Sequence, residues 1–395
     1  MQVDIAIVGA GPVGLGFAQS LQGSGYSVAL IDRQPLNDLA APAFDGREIA
    51  LTHASRHILE SLGAWQRIDA QAISPLRDAQ IFNGPSLHAL KVDAALVGVE
   101  ELGYFVPNHL IRKALFEAVQ ARSDVQLLGG VGVVGVQTGP QENVLALSDG
   151  QQVHARLVVA ADSRYSETRR MMGIAADMHD FARTMLVCRF AHEAEHEHIS
   201  WQWFDYGQTL ALLPLNGKAS NVVLTLPPHE MQALLELDDA AFSANITQRF
   251  AHRLGAMHKQ GKPHSYPLVG AYARRFVAHR YALVGDAAVG MHPITAHGFN
   301  FGLQSQKRLA DQLWLAKRRN ADVADPAFLA TYERQHRAAT WPLYQATNAI
   351  AKLYTDDRAP VRAIRGGMLR MAQAVHPFRK LLASHLTQTH RASLG

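Results

Sequence analysis

The stretch DIAIVGAGPVGLGFAQSLQGSGYSVALIDR, residues 4–33, decides the fold. Gln2 to Val8 is short, β-branched and bounded by glycine, the pattern of a buried parallel strand. Gly9, Gly11 and Gly14 follow in GxGxxG spacing, then a helical pattern from Val13 to Leu21 and a second apolar strand from Ser27 to Asp32. Each glycine has a mechanical task. The first permits the tight turn, the second lets the backbone approach a pyrophosphate, and the third lets the helix pack closely on the strand. The phosphates then meet the amides and the positive dipole end of that helix. Asp32 ends the second strand 23 residues after Gly9, where a carboxylate accepts hydrogen bonds from a ribose diol. With 30 glycines in the chain a bare GxGxxG carries little weight, but strand, loop, helix, strand and terminal acid together specify a dinucleotide site. The pattern leaves NAD and FAD both open, while Asp32 argues against a 2′-phosphate.

Composition bounds the rest. The 395 residues, 48% hydrophobic and 18% charged, are enough for two domains around a large core. A net charge of +4 without a long Lys/Arg run in the body of the chain gives no reason to invoke nucleic acid. One cysteine, Cys188, excludes an intrachain disulfide framework and fits a reducing compartment. No basic n-region precedes the first strand and no stretch reaches the length of a membrane span, so the expected location is cytoplasmic.

Two later segments choose between the cofactors. RLVVAAD, residues 156–162, is an apolar strand ending in an acid, followed by SRYSETRR. YALVGDAAVGMHPITAHGFNFG, residues 281–302, gives a strand, the turn Gly285-Asp286, a proline loop and a helix from about Gly298. A second helix N-terminus aimed at a ligand, beside a strand-end aspartate, suits the ribityl chain and ring of a flavin. A helix cap explains one such turn, but less readily three strand-end acids in one chain.

On these residues the chain resembles the group A FAD-dependent aromatic monooxygenases, which share the fold of p-hydroxybenzoate hydroxylase. The resemblance implies an α/β chain with a Rossmann-like FAD-binding domain, an antiparallel-sheet substrate domain and C-terminal helices. It assigns Gly9, Gly11, Gly14 and Asp32 to the ADP half of FAD. Asp162, Ser166 and Arg169 match the middle motif, with Ser163 where the family has glycine. Gly285, Asp286, Ala287, Ala288, Pro293, Gly298, Phe299 and Asn300 match the last, whose aspartate holds ribityl hydroxyls. GREIALTHASRHILESLGAW, GYFVPNHLIRKAL and HPITAHGFNFGLQS further resemble the ubiquinone-biosynthesis hydroxylases of the UbiH/UbiF/UbiI/UbiM type, placing Arg47 and Arg112 near the FAD. Val289 stands for the family's usual His, Thr295-Ala296-His297 for AGQ, and Ser305 for Asp; this drift fits a UbiM-like branch, a 5-demethoxyubiquinol hydroxylase.

The FAD domain is expected to be discontinuous, over residues 1–70, 101–178 and 271–340, with the substrate domain at 71–100 and 179–270 and a helical basic tail at 341–395. Alternation in ISWQWFDYGQTLALLPLNGKASNVVLTL predicts antiparallel strands, with Trp201, Trp203 and Phe204 as candidate pocket residues. In the tail, Arg358, Arg362, Arg365, Arg370, Arg379, Lys380 and Arg391 alternate with Leu369, Met371, Val375, Phe378, Leu381 and Leu382. Such a segment either rests on an anionic membrane surface or a partner complex, or closes the FAD domain with a solvated basic face. HEAEH, residues 192–196, matches a zinc-protease signature, but it follows a strand and cannot bury a helix face, so no metal is expected.

The resemblance implies that O2 and a hydrophobic isoprenoid phenol or quinol are the substrates, with a flavin C4a-hydroperoxide as oxidant. NAD(P)H is the expected transient electron donor, since no second Rossmann fingerprint exists. His292 and His297 are candidate proton acceptors, and no other catalytic residue is nominated. Rival readings are a reductase or dehydrogenase of the same fold, a non-catalytic FAD-binding subunit of a quinone-synthesis assembly, and an NAD-dependent dehydrogenase.

Overall fold

In the computed structural model, which describes residues 1–84, 89–205, 207–355, 358, 361, 365, 367 and 371–388, the strand Gln2–Val8 is central to an eight-stranded sheet. It pairs in parallel with Val28–Asp32 on one side and Gln152–Ala160 on the other. Tyr281–Leu283 and Val125–Gly129 extend the parallel array outward. Ile5, Ala6 and Ile7 are fully buried, as a strand covered on both faces requires. The helices Pro12–Ser20 and Gly298–Arg318 pack against each other beside this sheet. This is the α/β arrangement expected from residues 4–33, and the first strand, helix and second strand fall within one residue of their expected bounds.

A second eight-stranded sheet, mostly antiparallel, carries the long strands Ala176–His192 and Met257–Ala273. Ile199–Asp205, Gln208–Pro214 and Ala219–Leu226 form the expected meander in it. One face binds the flavin-type domain. Arg189 donates to Glu48 at 2.9 Å through Nε, and the Asn221 amide donates to the Gly46 carbonyl at 2.7 Å. The other face packs on the helices Pro228–Leu235 and Asp239–Arg249 in a separate apolar cluster.

Successive side chains of a strand point to opposite faces, so Trp203 and Phe204 cannot line the same pocket. Trp203 is a member of the helix-backed cluster with Phe82, Leu210 and Leu212, and Trp201 packs against it. The expectation that both tryptophans line the pocket is therefore corrected: only Phe204 shares the alternating set of Arg189 and Asn221.

The expected boundary at 340 falls inside one helix, Pro326–Thr355. The last helix, His376–Thr387, lies against the substrate sheet: Arg379 donates to Asp93 at 2.7 Å and to the Lys91 carbonyl at 3.0 Å. Arg365 is fully buried rather than on a solvated basic face. Arg362, Leu369, Arg370 and Arg391 lie outside the described residues. Among the described residues no helix is long and apolar enough to cross a membrane.

Because Trp203 is core rather than pocket, Trp203→Ala should cost about 3–5 kcal/mol of folding stability in urea denaturation. A cost under about 1 kcal/mol would refute that placement.

Candidate flavin site

The three motifs meet where the parallel strands end. Gly9 has φ +107°, and a Cβ there would stand 2.5 Å from the Ala161 carbonyl oxygen, so the first turn is pressed onto the middle motif. A Cβ on Gly14 would stand 1.9 Å from the Gly9 carbonyl oxygen, which excludes any side chain. Gly11 is different: nothing lies within 4 Å of its Cβ position, nor of that of Gly298. The helices starting at Pro12 and Gly298 have neither a capping side chain nor an acid in the first turn. Their first amides are thus left for a ligand, beside open space at both glycines. Val13 interlocks the first and last motifs, its Cγ2 lying 3.1 Å from the Cβ position of Gly285 and 2.8 Å from that of Gly302. These features fit FAD.

The acids differ in what they hold. Asp32 accepts from the Ala10 amide at 2.6 Å and from the Gln34 amide at 2.8 Å, bracing the loop it closes. Asp162 is engaged locally, by the Ser166 hydroxyl and by the amide and hydroxyl of Thr168 at 3.2 and 2.8 Å. Asp286 accepts from Arg164 at 3.0 Å and keeps a third of its side chain exposed. Arg164, which the sequence reading did not single out, also donates to the Val269 carbonyl at 2.9 Å. It joins the middle motif, the last motif and the substrate sheet, and its advance signal was its place among the three arginines of SRYSETRR. Buried Arg169 donates to the Ala287 carbonyl at 2.9 Å, which ties the same two motifs again.

Arg112, in the helix Asn108–Gln120, and Arg47, just before the strand Glu48–Leu51, make separate contacts. Arg112 donates to the Gln34 side chain at 2.7 Å, next to the amide held by Asp32; burial lowers its pKa from the ordinary arginine value. Arg47 donates through Nε to Asp45 at 3.0 Å, and Asn108 donates to the same carboxylate at 2.7 Å. Burial would raise the Asp45 pKa, but these hydrogen bonds and the Arg47 charge hold it below the usual range.

His292 and His297 are both buried. His292 accepts from the Ile294 amide at 3.2 Å through Nδ1, capping the turn Pro293–Thr295, and meets the Phe181 ring edge-on at 4.4 Å between centroids. Burial, with His179 adding to it, pushes its pKa down to about 4. Neutral His292 with Nδ1 accepting carries its proton on Nε2. The ring of His297 meets the Thr295 and His385 carbonyls. Asn300 donates to the Ala50 and Ala296 carbonyls at 2.8 and 3.0 Å and accepts from the Thr52 amide at 3.1 Å, while Phe299 packs on the main core.

The departures from the family pattern have structural counterparts. Ser163 and Ala296, both where the family has glycine, adopt φ +74° and +54°. Ser305 is fully buried and its hydroxyl accepts from the Gly285 amide at 2.8 Å, holding the last turn directly. Val289 is buried in a short strand paired with Met257–Ala273. HEAEH sits on a strand end and turn: His192 Nε2 meets the Ser220 hydroxyl at 2.9 Å and His196 Nε2 the Ala219 carbonyl at 3.0 Å. Two surface cavities of about 490 and 720 Å³, one beside Arg280 and Asp322, the other beside Trp203 and Arg253, contain no residue of the three motifs.

Three turns joined at the carboxyl ends of parallel strands, under an antiparallel sheet, define a FAD-binding fold; the family description "FAD binding domain" matches residues 2–347, and the named relatives make the chain a FAD-dependent monooxygenase. The chain belongs to that family, and FAD rather than NAD is its cofactor. Within it the chain falls among the ubiquinone hydroxylases. It is 44% identical over 388 residues to ubiquinone hydroxylase UbiM of Neisseria meningitidis, covering 97% of this chain and 84% of the relative. It is 33% identical over 389 residues to ubiquinone hydroxylase UbiL of Rhodospirillum rubrum, covering 98% and 90%. The fold is shared with p-nitrophenol 4-monooxygenase PnpA of Pseudomonas putida, at TM-score 0.79, 17% identity and 98% coverage of both chains.

Gly11→Ala should leave stability of the FAD-free protein within about 1 kcal/mol yet abolish FAD retention, whereas Gly14→Ala should destabilise even the FAD-free protein by several kcal/mol. Equal behaviour in denaturation and FAD-release assays would contradict the two environments. For His292, the unfolded chain takes up the proton first as pH falls, because folding lowers its pKa from 6.5 to about 4. Its contribution to stability is full above about 6.5 and lost as pH falls toward 4, so His292→Gln should flatten that decline in pH-stepped urea melts.

Proposed function

We propose that this FAD-dependent hydroxylase of ubiquinone biosynthesis acts on a polyprenylated phenol or quinol, 5-demethoxyubiquinol being the substrate we favour; 28% identity to the 3-demethoxyubiquinol 3-hydroxylase of Escherichia coli supports a demethoxyubiquinol. The observation that carries the reading is the meeting of all three motifs beneath one face of the substrate sheet. FAD supplies O2 activation and the transfer of one oxygen atom to the ring. The first amides of Gly298–Arg318 stand ready to stabilise negative charge on the reduced ring, and Gly9, Gly11, Gly14 and Asp32 hold the ADP half. Arg47 and Arg112 lie at the rim between them, and Asp286, oriented by Arg164, holds the ribityl chain.

His292 offers a proton from Nε2 in its neutral state, so it orients a ring oxygen rather than removing a proton at neutral pH. A phenolic ring is electron-rich already and needs no strong base. NAD(P)H binds transiently as donor. The protein works at the cytoplasmic face of the inner membrane, in keeping with Met371 and Leu381, which stand exposed beside Lys380 near the last helix.

The purified holoenzyme, given NAD(P)H, a prenylated quinol and ¹⁸O2, should form ring-hydroxylated product carrying one ¹⁸O atom. Donor oxidation without label in the product would establish the reductase reading instead.

A further inference from the structure

A third apolar cluster lies where three parts of the chain meet. Its buried members include Phe105, Leu102 and Leu76 of the flavin-domain side, Val92 of the substrate sheet, and Ala383 of the last helix. Its partly buried rim is more telling: Ala50 from the strand Glu48–Leu51, Ala79 and Leu213 from the substrate sheet, Leu382 and Leu386 from the last helix. Ala50 stands beside the start of the flavin helix, because its carbonyl accepts the Asn300 amide at 2.8 Å. Ala79 and Leu213 fall in the alternating set that includes Phe204, Arg189 and Asn221, the face turned to the flavin domain. The apolar rim is therefore continuous with the face over the flavin.

The opposite end leads outward. Leu381, next to Leu382, is 65% exposed, and Met371 is 64% exposed just before the helix. Polar contacts fasten this helix at both ends, through Arg379 to Asp93 and the Lys91 carbonyl near its start and through a latch at its inner end. Gln388 Oε1 accepts from the Thr52 hydroxyl at 3.3 Å and from Gln304 Nε2, and the His385 carbonyl faces His297 Nε2 at 3.4 Å. Between that latch and the exposed end the contacts to the sheet are aliphatic at Leu382, Ala383 and Leu386.

We propose that this seam under His376–Thr387 receives the prenyl tail of the substrate, with the ring at the flavin end beside Ala50 and the tail leaving past Leu381. The assignment rests on the hydroxylase reading above and adds the route of the tail. A row of aliphatic side chains without hydrogen-bonding groups suits a hydrocarbon chain, whose burial is non-directional and grows with each unit enclosed. The last helix is then a wall of the site that selects for tail length.

The test compares the holoenzyme's kcat/KM for a quinol bearing several isoprene units with that for the same ring without a tail. The wild-type ratio should exceed ten, and Ala79→Phe or Leu386→Gln should lower it at least fivefold; an unchanged ratio in both variants overturns the assignment. A second measurement is independent of turnover and of variant folding. A quinol analogue with a diazirine at the middle of its tail, irradiated on wild-type holoenzyme, should label peptides containing Ala79, Leu213 or residues 382–386. Labels confined to the Trp201–Trp203 face, or to Met371 and Leu381 alone, overturn the seam. Seam labelling without ¹⁸O in any product would retain the tail route and reject the hydroxylase reading.

Discussion

The Gly9 carbonyl oxygen lies 1.9 Å from where a side chain on Gly14 would begin, and the rest of the structure depends on that contact. It sets how closely the first helix approaches the first strand, and so where its free amides point. The same turn presses Gly9 onto Ala161, which fixes the middle motif, and Val13 fills the room left by Gly285 and Gly302, which fixes the last. Segments more than 100 residues apart are thereby brought to one place by backbone contact and small side-chain volume. Ordinary packing could not achieve this, since a methyl group at any of these positions displaces a neighbour.

The second constraint is alternation. The substrate sheet has a period of two, so one strand must satisfy two different surroundings. Trp201 and Trp203 supply bulk to the helix-backed side, while Arg189 and Asn221 supply polar links to the flavin domain on the other. Glu48, whose side chain is wholly buried, answers Arg189 across the domain boundary; burial raises its pKa despite that partner. The two domains are thus joined by a charge pair buried at its glutamate and by an amide hydrogen bond, alongside apolar contact.

The positions that depart from the family pattern show how local strain is absorbed. Ser163 and Ala296 occupy left-handed backbone where glycine is cheaper by about 1 kcal/mol or more. Both lie at turns held from several sides: Asp162 binds the residues after Ser163, and Asn300 binds the Ala296 carbonyl. Ser305, where the family has aspartate, accepts from the Gly285 amide through its hydroxyl and so holds the turn directly.

The sequence by itself determined the first strand, turn, helix and second strand, because GxGxxG between apolar runs is a local pattern set by φ and by close approach. It also identified the flavin motifs and the meander after Ile199, since turn residues and period-two alternation are legible along a line. Only the tertiary structure decided which face each alternating residue serves. Trp203 and Phe204 are adjacent in sequence and belong to opposite surfaces, a distinction set by which side the helices cover. It alone showed Arg164 joining Asp286 to Val269, the burial of Arg365, and the last helix set against the substrate sheet. The Arg164 and Arg379 contacts link residues 105 to 288 positions apart, and a basic or apolar letter in the chain carries no record of its distant partner.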